Sequence, residues 1–157
     1  MKQTTKQEIY KIRWDEVENK VTILSILIAI AQAHAKPDNR YTGIYGVPRG
    51  GLIPAVMLCH LLKLPLVTHA FEDRTLIVDD IVDSGKTLAA PAFRNLDKAV
   101  LIDKRVMWPD GDAMPTLFNG DLPPKFYAGA TVKGNPQYQK WVQFPWETNV
   151  STWRNDG

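Results

Sequence analysis

Residues 76–88, LIVDDIVDSGKTL, decide the fold of this chain. The aliphatic residues at the start of the stretch predict a buried strand, and the Ser-Gly-Lys-Thr ending predicts a turn into a helix. Small residues at such a turn expose backbone N–H groups at the positive end of the helix, which favours a bound phosphate. The stretch therefore predicts a strand, a phosphate-binding turn and a helix over residues 85–96.

The acidic residues of this stretch distinguish it from a nucleotide P-loop. That motif requires a glycine five residues before Gly85, and Asp80 occupies the position. Asp79, Asp80 and Asp83 would repel a phosphate, but carboxylates accept hydrogen bonds from sugar hydroxyls and bind Mg²⁺. The pattern therefore indicates a ligand with a phosphate at one end and a diol with a metal beside it, such as a ribose 5-phosphate.

Outward from this stretch, predicted strands alternate with predicted helices. The strands are predicted at residues 43–47, 65–68, 75–78 and 98–102, and the helices at residues 15–31, 52–62 and 85–96. Residues 105–137 are rich in proline and glycine, with at most a short strand at residues 126–131. This alternation predicts an α/β fold with a central, mainly parallel, Rossmann-like sheet that is flanked by helices and covered on both faces, with ligands at the carboxyl ends of the strands. We expect one domain over residues 1–157, with a core at about 14–104 and a small irregular hood and base-binding region at about 105–157.

The first helix is expected to bury one apolar face. Asp15 and Glu18 look like a capping pair that opens this helix. The side chains predicted to face the core are Val17, Val21, Leu24, Leu27, Ile28 and Ala31.

Composition is typical of a globular protein. The chain has 157 residues, of which 45% are hydrophobic, and a net charge of +2, without the basic excess that nucleic acids or anionic membranes attract. The longest apolar run, residues 21–31, is too short for a membrane-spanning helix, which needs about 20 residues. The single cysteine, Cys59, and the lack of a secretory signal at the start predict a cytoplasmic protein. Cys59 and the histidines show no spacing typical of a zinc or thiol site.

Three stretches together resemble a known enzyme family. Residues 76–88 resemble the phosphoribosyl pyrophosphate signature of the type I phosphoribosyltransferases, and residues 47–54, VPRGGLIP, resemble the pyrophosphate loop of the purine-specific members. Residues 140–147, KWVQFPWE, are similar to the base pocket of the bacterial xanthine-guanine phosphoribosyltransferases. The resemblance extends to IRWDEVENK at residues 12–20 and so covers nearly the whole chain.

The resemblance implies roles for the acidic stretch. Asp83 has the general acid/base position near N7 of the purine. Asp79 and Asp80 would bind the ribose and hold Mg²⁺, the one cofactor that we expect. The 5-phosphate would be bound by Asp83, Ser84, Gly85, Lys86 and Thr87, although Lys86 stands where many bacterial purine members have a glycine.

The resemblance implies further roles outside that stretch. Arg49 and Gly50 would bind the pyrophosphate, and the peptide bond between Pro48 and Arg49 corresponds to one that is often cis in the family. Lys104 matches the lysine that contacts the exocyclic oxygen at purine position 6. Trp141 would stack on the base, and the backbone of Val142 would meet its exocyclic edge.

The implied activity is transfer of the 5-phosphoribosyl group from phosphoribosyl pyrophosphate to guanine, xanthine or hypoxanthine, with release of pyrophosphate. The alternative is a non-catalytic regulatory protein of the same fold that binds the same ligands. Orotate and uracil are disfavoured as substrates because the members that use them lack the Trp-aliphatic pair. By analogy we expect a homodimer or homotetramer, with the first helix and the aromatic tail as candidate surfaces.

The chain departs from the family in two places. Only six residues, 70–75, lie where the family usually has a long flexible hood over the active site. The segment after Lys104 is longer and richer in proline and glycine than the bacterial purine enzymes need. We therefore hypothesise that residues 106–135 replace the missing hood.

Overall fold

The computed structural model describes residues 7–69, 73–105 and 124–147. A four-stranded, fully parallel sheet forms its centre, with the strands in the order β2 (Gly43–Gly46), β3 (Thr75–Val82), β4 (Lys98–Asp103) and β5 (Phe126–Thr131). A second parallel sheet pairs β1 (Ile9–Lys11) with β6 (Trp141–Gln143). The two α-helices are α1 (Trp14–His34) and α2 (Leu52–Leu62). The predicted α/β architecture is therefore confirmed.

The two faces of the central sheet are covered differently. Both helices pack on one face, where Val21, Leu24 and Leu58 are fully or almost fully buried against the strands. The other face is covered by residues 85–96, which contribute Leu88 and Leu96 to a second apolar cluster. Because both faces are covered, the strands can be apolar on both sides, as the sequence of β3 and β4 requires.

The segment over residues 85–96 corrects the prediction of an α-helix. It contains one helical turn, closed by the N–H of Ala89 on the carbonyl of Gly85 at 2.9 Å, and a short 3₁₀ helix, Pro91–Phe93. Pro91 has no N–H to donate, and it restricts the residue before it to extended backbone, which Ala90 adopts at φ −54° and ψ 143°. The expected positive helix end behind the phosphate turn is therefore absent from this part of the structure.

Three other boundaries differ from prediction. The predicted strand at residues 65–68 is only a bridge between Leu66 and Ile44, whereas β3 runs on to Val82 and includes both aspartates. Helix α1 begins one residue before Asp15, and its capping carboxylate is that of Glu16 rather than Glu18, because Glu16 accepts a hydrogen bond from the N–H of Arg13 at 3.4 Å.

None of the helices in the described ranges is long and apolar enough to span a membrane.

Helix α1 is also apolar on more than its buried face. Val17, Val21, Leu24 and Ile28 are buried as predicted, but Leu27 remains 42% exposed. Leu27 lies on a second stripe of the helix that no other element of the described chain covers.

The region after β4 is more regular than predicted. Residues 126–131 form β5 of the core sheet, so this part of the segment predicted to replace the hood belongs to the core. Residues 106–123 of that segment lie outside the described residues. Beyond β5, Tyr138 and Phe144 are almost fully buried against the same core as α1.

Candidate active site

The pyrophosphate-type loop and the acidic stretch meet at the carboxyl ends of β2 and β3. The N–H of Val47 donates to the carbonyl of Val78 at 2.8 Å, which holds the start of the loop against β3. A Cβ atom at Gly50 would collide with the carboxylate of Asp80, and one at Gly51 would lie 2.5 Å from the carbonyl oxygen of Val78. A side chain at Gly51 would therefore clash with backbone, and one at Gly50 would displace the Asp80 carboxylate. The peptide bond between Pro48 and Arg49 is cis, as expected.

Asp79 and Asp80 are consecutive residues of β3, so their Cβ atoms lie on opposite faces of the strand, but their carboxyl groups are close enough to share a hydrogen bond. Asp80 faces Gly50, whereas Asp79 lines the cleft formed by the phosphate-type turn. Each carboxylate accepts a hydrogen bond from the next backbone N–H, at 2.8 Å in both cases. Burial, together with the neighbouring charge of Asp80, raises the pKa of Asp79 to about 8, and burial also raises the pKa of Asp80.

This acid pair has the donor chemistry of a magnesium site. Within the described residues no cation pairs with either half-buried carboxyl group, and burial is the first cause of the raised pKa of Asp79. No cluster of three or more metal-binding side chains occurs in the described ranges. Mg²⁺ is usually held by one or two carboxylates and completed by water and substrate phosphates, so a pair of aspartates is a sufficient contribution from the chain.

The turn after β3 encloses a cleft of about 160 Å³. Gly85 adopts a left-handed φ of 80°, which a residue with a side chain would rarely accept. Within the described residues, no hydrogen bond engages the backbone N–H groups of Ser84, Gly85 and Thr87, so these donors are open to a ligand. The side chains of Asp83, Lys86 and Thr87 are exposed. The cleft can therefore accept an anion even though no α-helix follows it.

Lys104 lies at the end of β4 and points towards the start of β6. Its N–H donates to the carbonyl of Val82 at 2.9 Å, and its Nζ donates to the carbonyl of Lys140 at 3.1 Å. Lys140 immediately precedes Trp141, so the chain places Lys104 beside the strand that carries the candidate base platform. The side chain of Trp141 is 55% exposed, whereas that of Val142 is buried in the core, which leaves only the Val142 backbone for a ligand.

Lys104 is flanked by a buried ion pair between Asp103 and Arg105, which the sequence analysis did not predict. Arg105 donates from its Nε and a terminal nitrogen to the two carboxylate oxygens of Asp103, at 2.9 and 2.8 Å. The guanidinium carbon also lies 3.9 Å from the ring centroid of Phe126. The sequence pattern that could have predicted this pair is the charged triplet Asp-Lys-Arg at the end of an apolar strand. The pair fixes the backbone on both sides of Lys104.

One carboxylate connects the small sheet to the core helix. Tyr10 on β1 donates to both oxygens of Glu16 on α1, at 3.1 and 3.0 Å, and Tyr138 donates to one of them at 3.4 Å. Lys20 lies above the ring of Tyr138, with its Nζ 4.9 Å from the centroid. We call Glu16 with these two tyrosines the Glu16 clasp. Because Tyr10 pairs with Val142 and Tyr138 precedes Trp141, the clasp holds β6 from both sides.

Glu147 is a second residue whose place sequence reasoning did not identify. It ends the Pro-Trp-acid motif and accepts a hydrogen bond from the N–H of Phe144 at 3.0 Å. Burial raises the pKa of Glu147, and the nearby carboxylate of Asp80 raises it further. The end of the predicted base-binding segment therefore lies close to the acid pair of β3. In the described ranges, no contact joins the exposed side chain of Arg49 to this group.

The fold matches that of proteins of known structure. A crystal structure of the purine phosphoribosyltransferase from Pyrococcus horikoshii aligns with 88% of this chain and 94% of its own, at a TM-score of 0.61 and 25% identity. The chain has the type I phosphoribosyltransferase fold. Its sequence is similar to curated xanthine-guanine phosphoribosyltransferases from Chromohalobacter salexigens, 23% identical over 90% of this chain and 86% of the relative, and Gluconobacter oxydans, 25% identical over 87% and 83%. No protein-family model matches the chain.

Within this type I fold, the predicted site residues fall into three groups. Gly50 and Asp80 are in direct contact, and Asp79 and residues 83–87 line one cleft. Lys104 is hydrogen bonded to the backbone beside Trp141. All three groups lie at, or are bonded to, the carboxyl ends of β2, β3 and β4, where ligands bind in parallel sheets of this class.

Proposed function

We propose that this chain is a magnesium-dependent purine phosphoribosyltransferase that acts on guanine, xanthine or hypoxanthine. The observation that carries the proposal is the contact between Gly50 and Asp80, because it brings the pyrophosphate-type loop and the ribose-type acids to one point. The curated relatives named as xanthine-guanine phosphoribosyltransferases support a purine as acceptor. The reaction breaks the bond between the anomeric carbon and pyrophosphate and forms a bond from that carbon to a purine nitrogen.

The 5-phosphate of the donor would lie in the cleft of residues 83–87. The open N–H groups of Ser84, Gly85 and Thr87 would donate to its oxygens, and Lys86 would add a positive charge at the rim. Asp79 and Asp80 would accept hydrogen bonds from the ribose hydroxyls. Fixing the sugar at both ends would hold the anomeric carbon in place for in-line attack.

The departing pyrophosphate would lie over the loop of residues 47–51. Arg49 would pair with its charge, and Gly50, lacking a side chain, leaves the backbone accessible beside Asp80. Asp79 and Asp80 would hold Mg²⁺, which would supply charge neutralisation to the pyrophosphate. These groups together would stabilise a transition state in which the sugar is oxocarbenium-like.

The purine would lie between β4 and β6. Trp141 would stack on its face, Lys104 would donate to the oxygen at position 6, and the backbone of Val142 would meet the exocyclic edge. Asp83 is exposed at the rim of the phosphate cleft, where it would exchange a proton with N7 as the new bond forms.

The test is an assay of purified protein with Mg²⁺, phosphoribosyl pyrophosphate and each nucleobase in turn, with the monophosphate detected by mass. We expect product with at least one of guanine, xanthine and hypoxanthine and none with orotate or uracil. Asp83→Asn should lower kcat at least about 100-fold, since a positioned acid or base contributes at least this much. The matched control is Asp38→Asn, an exposed aspartate outside the site, which should retain full turnover.

A different outcome would favour the regulatory alternative. If the protein bound phosphoribosyl pyrophosphate at micromolar concentration and formed no product with any base, the proposal of catalysis would be wrong. Binding without turnover is the expected property of a sensor that keeps the substrate pocket.

A further inference from the structure

The small sheet of β1 and β6 has one buried face and one outer face. Successive side chains of a strand point to opposite faces, so Trp141 and Gln143 lie on one face of β6 and Val142 lies on the other. Val142 is buried in the core, whereas Trp141 is 55% exposed and Gln143 is half-buried. The candidate base platform and Gln143 therefore share the outer face of the strand.

Strand β1 adds two side chains to this outer face. In the parallel register Ile9 lies beside Trp141, about 4.8 Å away on the same face. Lys11 lies beside Gln143 in the same way, and both Ile9 and Lys11 are exposed. The outer face thus has an apolar half around Trp141 and a polar half around Gln143. We call Gln143 and Lys11 the polar pair.

The polar pair is available to a ligand. Within the described residues, no hydrogen bond engages the side-chain amide of Gln143, and no carboxylate pairs with the ammonium group of Lys11. The neighbouring Lys140 is by contrast already paired, since its Nζ lies 3.1 Å from a carboxylate oxygen of Glu8. The polar pair therefore offers one amide and one positive charge beside the base platform.

The direction of β6 decides which part of a purine would reach the polar pair. Under the proposed function, on which this inference rests, Lys104 donates to the oxygen at position 6, and its Nζ is bonded to the carbonyl of Lys140 just before β6. The hydrogen-bonding edge of a purine runs from position 6 through N1 to position 2. Position 2 therefore points along β6 towards Gln143, about 10 Å beyond Lys140.

We propose that the polar pair reads the substituent at position 2 of the purine and makes xanthine the preferred base. An amide accepts from the amino group of guanine through its oxygen or donates to the oxygen of xanthine through its nitrogen, so Gln143 serves either base. An ammonium group only donates, so Lys11 favours the oxygen of xanthine. Hypoxanthine carries only a hydrogen at position 2, and a site built to hydrogen-bond a substituent disfavours the analogue that lacks it.

The first test compares kcat/KM for xanthine, guanine and hypoxanthine. We expect the wild type to prefer xanthine over hypoxanthine at least about 10-fold, as two hydrogen bonds to position 2 would provide. Gln143→Leu keeps the approximate size of the side chain and should lower the ratio of xanthine to hypoxanthine about 5- to 10-fold. Lys11→Met should lower the ratio of xanthine to guanine by a similar factor of about 5 to 10.

The chain offers matched controls for both substitutions. Gln139→Leu and Lys133→Met make the same changes at an exposed glutamine and an exposed lysine outside the outer face, and they should leave both ratios unchanged. Ratios that stayed constant in Gln143→Leu and Lys11→Met would overturn the proposal. An equal loss for all three bases would overturn it too, because a strand that had merely lost its position would bind every base less well.

A second measurement separates the reading of position 2 from the proposed catalysis. Calorimetric binding of the nucleoside monophosphates needs no turnover, and we expect xanthosine monophosphate to bind at least about 5-fold more tightly than inosine monophosphate. Gln143→Leu should remove most of this difference. The same preference in a protein that forms no product would refute the catalysis and support the role of the polar pair. Equal affinity of the wild type for both nucleotides would overturn that role, whether or not product forms.

Discussion

Gly50 has no side chain, and the carboxylate of Asp80 occupies the space that a side chain would fill. The glycine lies against the carboxylate of Asp80, so an alanine there would displace that carboxylate. We expect Gly50→Ala to destabilise the fold by about 1–3 kcal/mol, as overpacking does. We also expect it to raise the KM for phosphoribosyl pyrophosphate more than the KM for the base. Thermal unfolding and steady-state kinetics measure the two effects.

The chain offers a matched control for this substitution. A Cβ at Gly134 would meet no atom within 4 Å, so Gly134→Ala should change neither stability nor KM appreciably. If Gly50→Ala were as harmless as Gly134→Ala, the close approach of the two loops would not be important for the site.

At the level of elements, the proposed base binding depends on the position of β6. Strand β6 has only three residues, and β1, to which it pairs, has three as well. Two such short strands cannot hold a position alone, so the Glu16 clasp supplies contacts to the core from both sides of β6. Glu16 is in this sense a positioning residue for Trp141.

Glu16→Gln should therefore weaken base binding selectively. Glutamine keeps the size of the side chain but loses the charge that strengthens hydrogen bonds from Tyr10 and Tyr138. We expect the KM for the base to rise about 5- to 10-fold, with the KM for phosphoribosyl pyrophosphate unchanged. Glu18→Gln, two residues away and without a bond to either tyrosine in the described structure, is the control. A parallel rise of both KM values would indicate a general structural role and contradict the positioning role.

The elements also show what a sequence can and cannot predict. Helix α2 and β5 were predicted with their observed bounds because each has its periodicity within a few consecutive residues. The prediction of a helix over residues 85–96 was wrong. It rested on the apolar spacing, whereas the backbone there is determined by Pro91. The pairing of β1 with β6 could not be predicted, because it joins three-residue strands from opposite ends of the chain. The motifs at the strand ends were readable because each is contiguous in sequence.

At the scale of the whole molecule, one buried lysine links stability to pH. Lys98 is fully buried, and its Nζ donates to the carbonyls of Phe93 and Leu96 at 2.6 and 2.7 Å, which ties the irregular segment to β4. Burial lowers the pKa of Lys98 to about 8, whereas an unfolded lysine titrates near 10.4. Between these values the unfolded chain binds more protons than the folded chain, so this residue makes the free energy of unfolding rise with pH.

Relative to Lys98→Met, the free energy of unfolding of the wild type should rise by roughly 1–2 kcal/mol from pH 8 to pH 9.5. Cys59 and Tyr41, whose pKa values are raised by burial, oppose this trend in both proteins and cancel in the comparison. Urea unfolding at fixed pH values measures the difference. A difference that stayed constant with pH would mean that Lys98 is not the group responsible.

Because Asp79 and Asp80 lie within β3, the geometry of this site depends on the number of residues before them in the strand as well as on the residue types. Adjacent residues of a strand face opposite ways, so one inserted or deleted residue earlier in β3 would exchange the sides on which the two carboxylates stand. Each acid would then meet the other's neighbours, with Asp79 against Gly50 and Asp80 in the cleft after the strand. A substitution in β3 changes one side chain, whereas a change in the length of β3 would move both carboxylates to new neighbours at once.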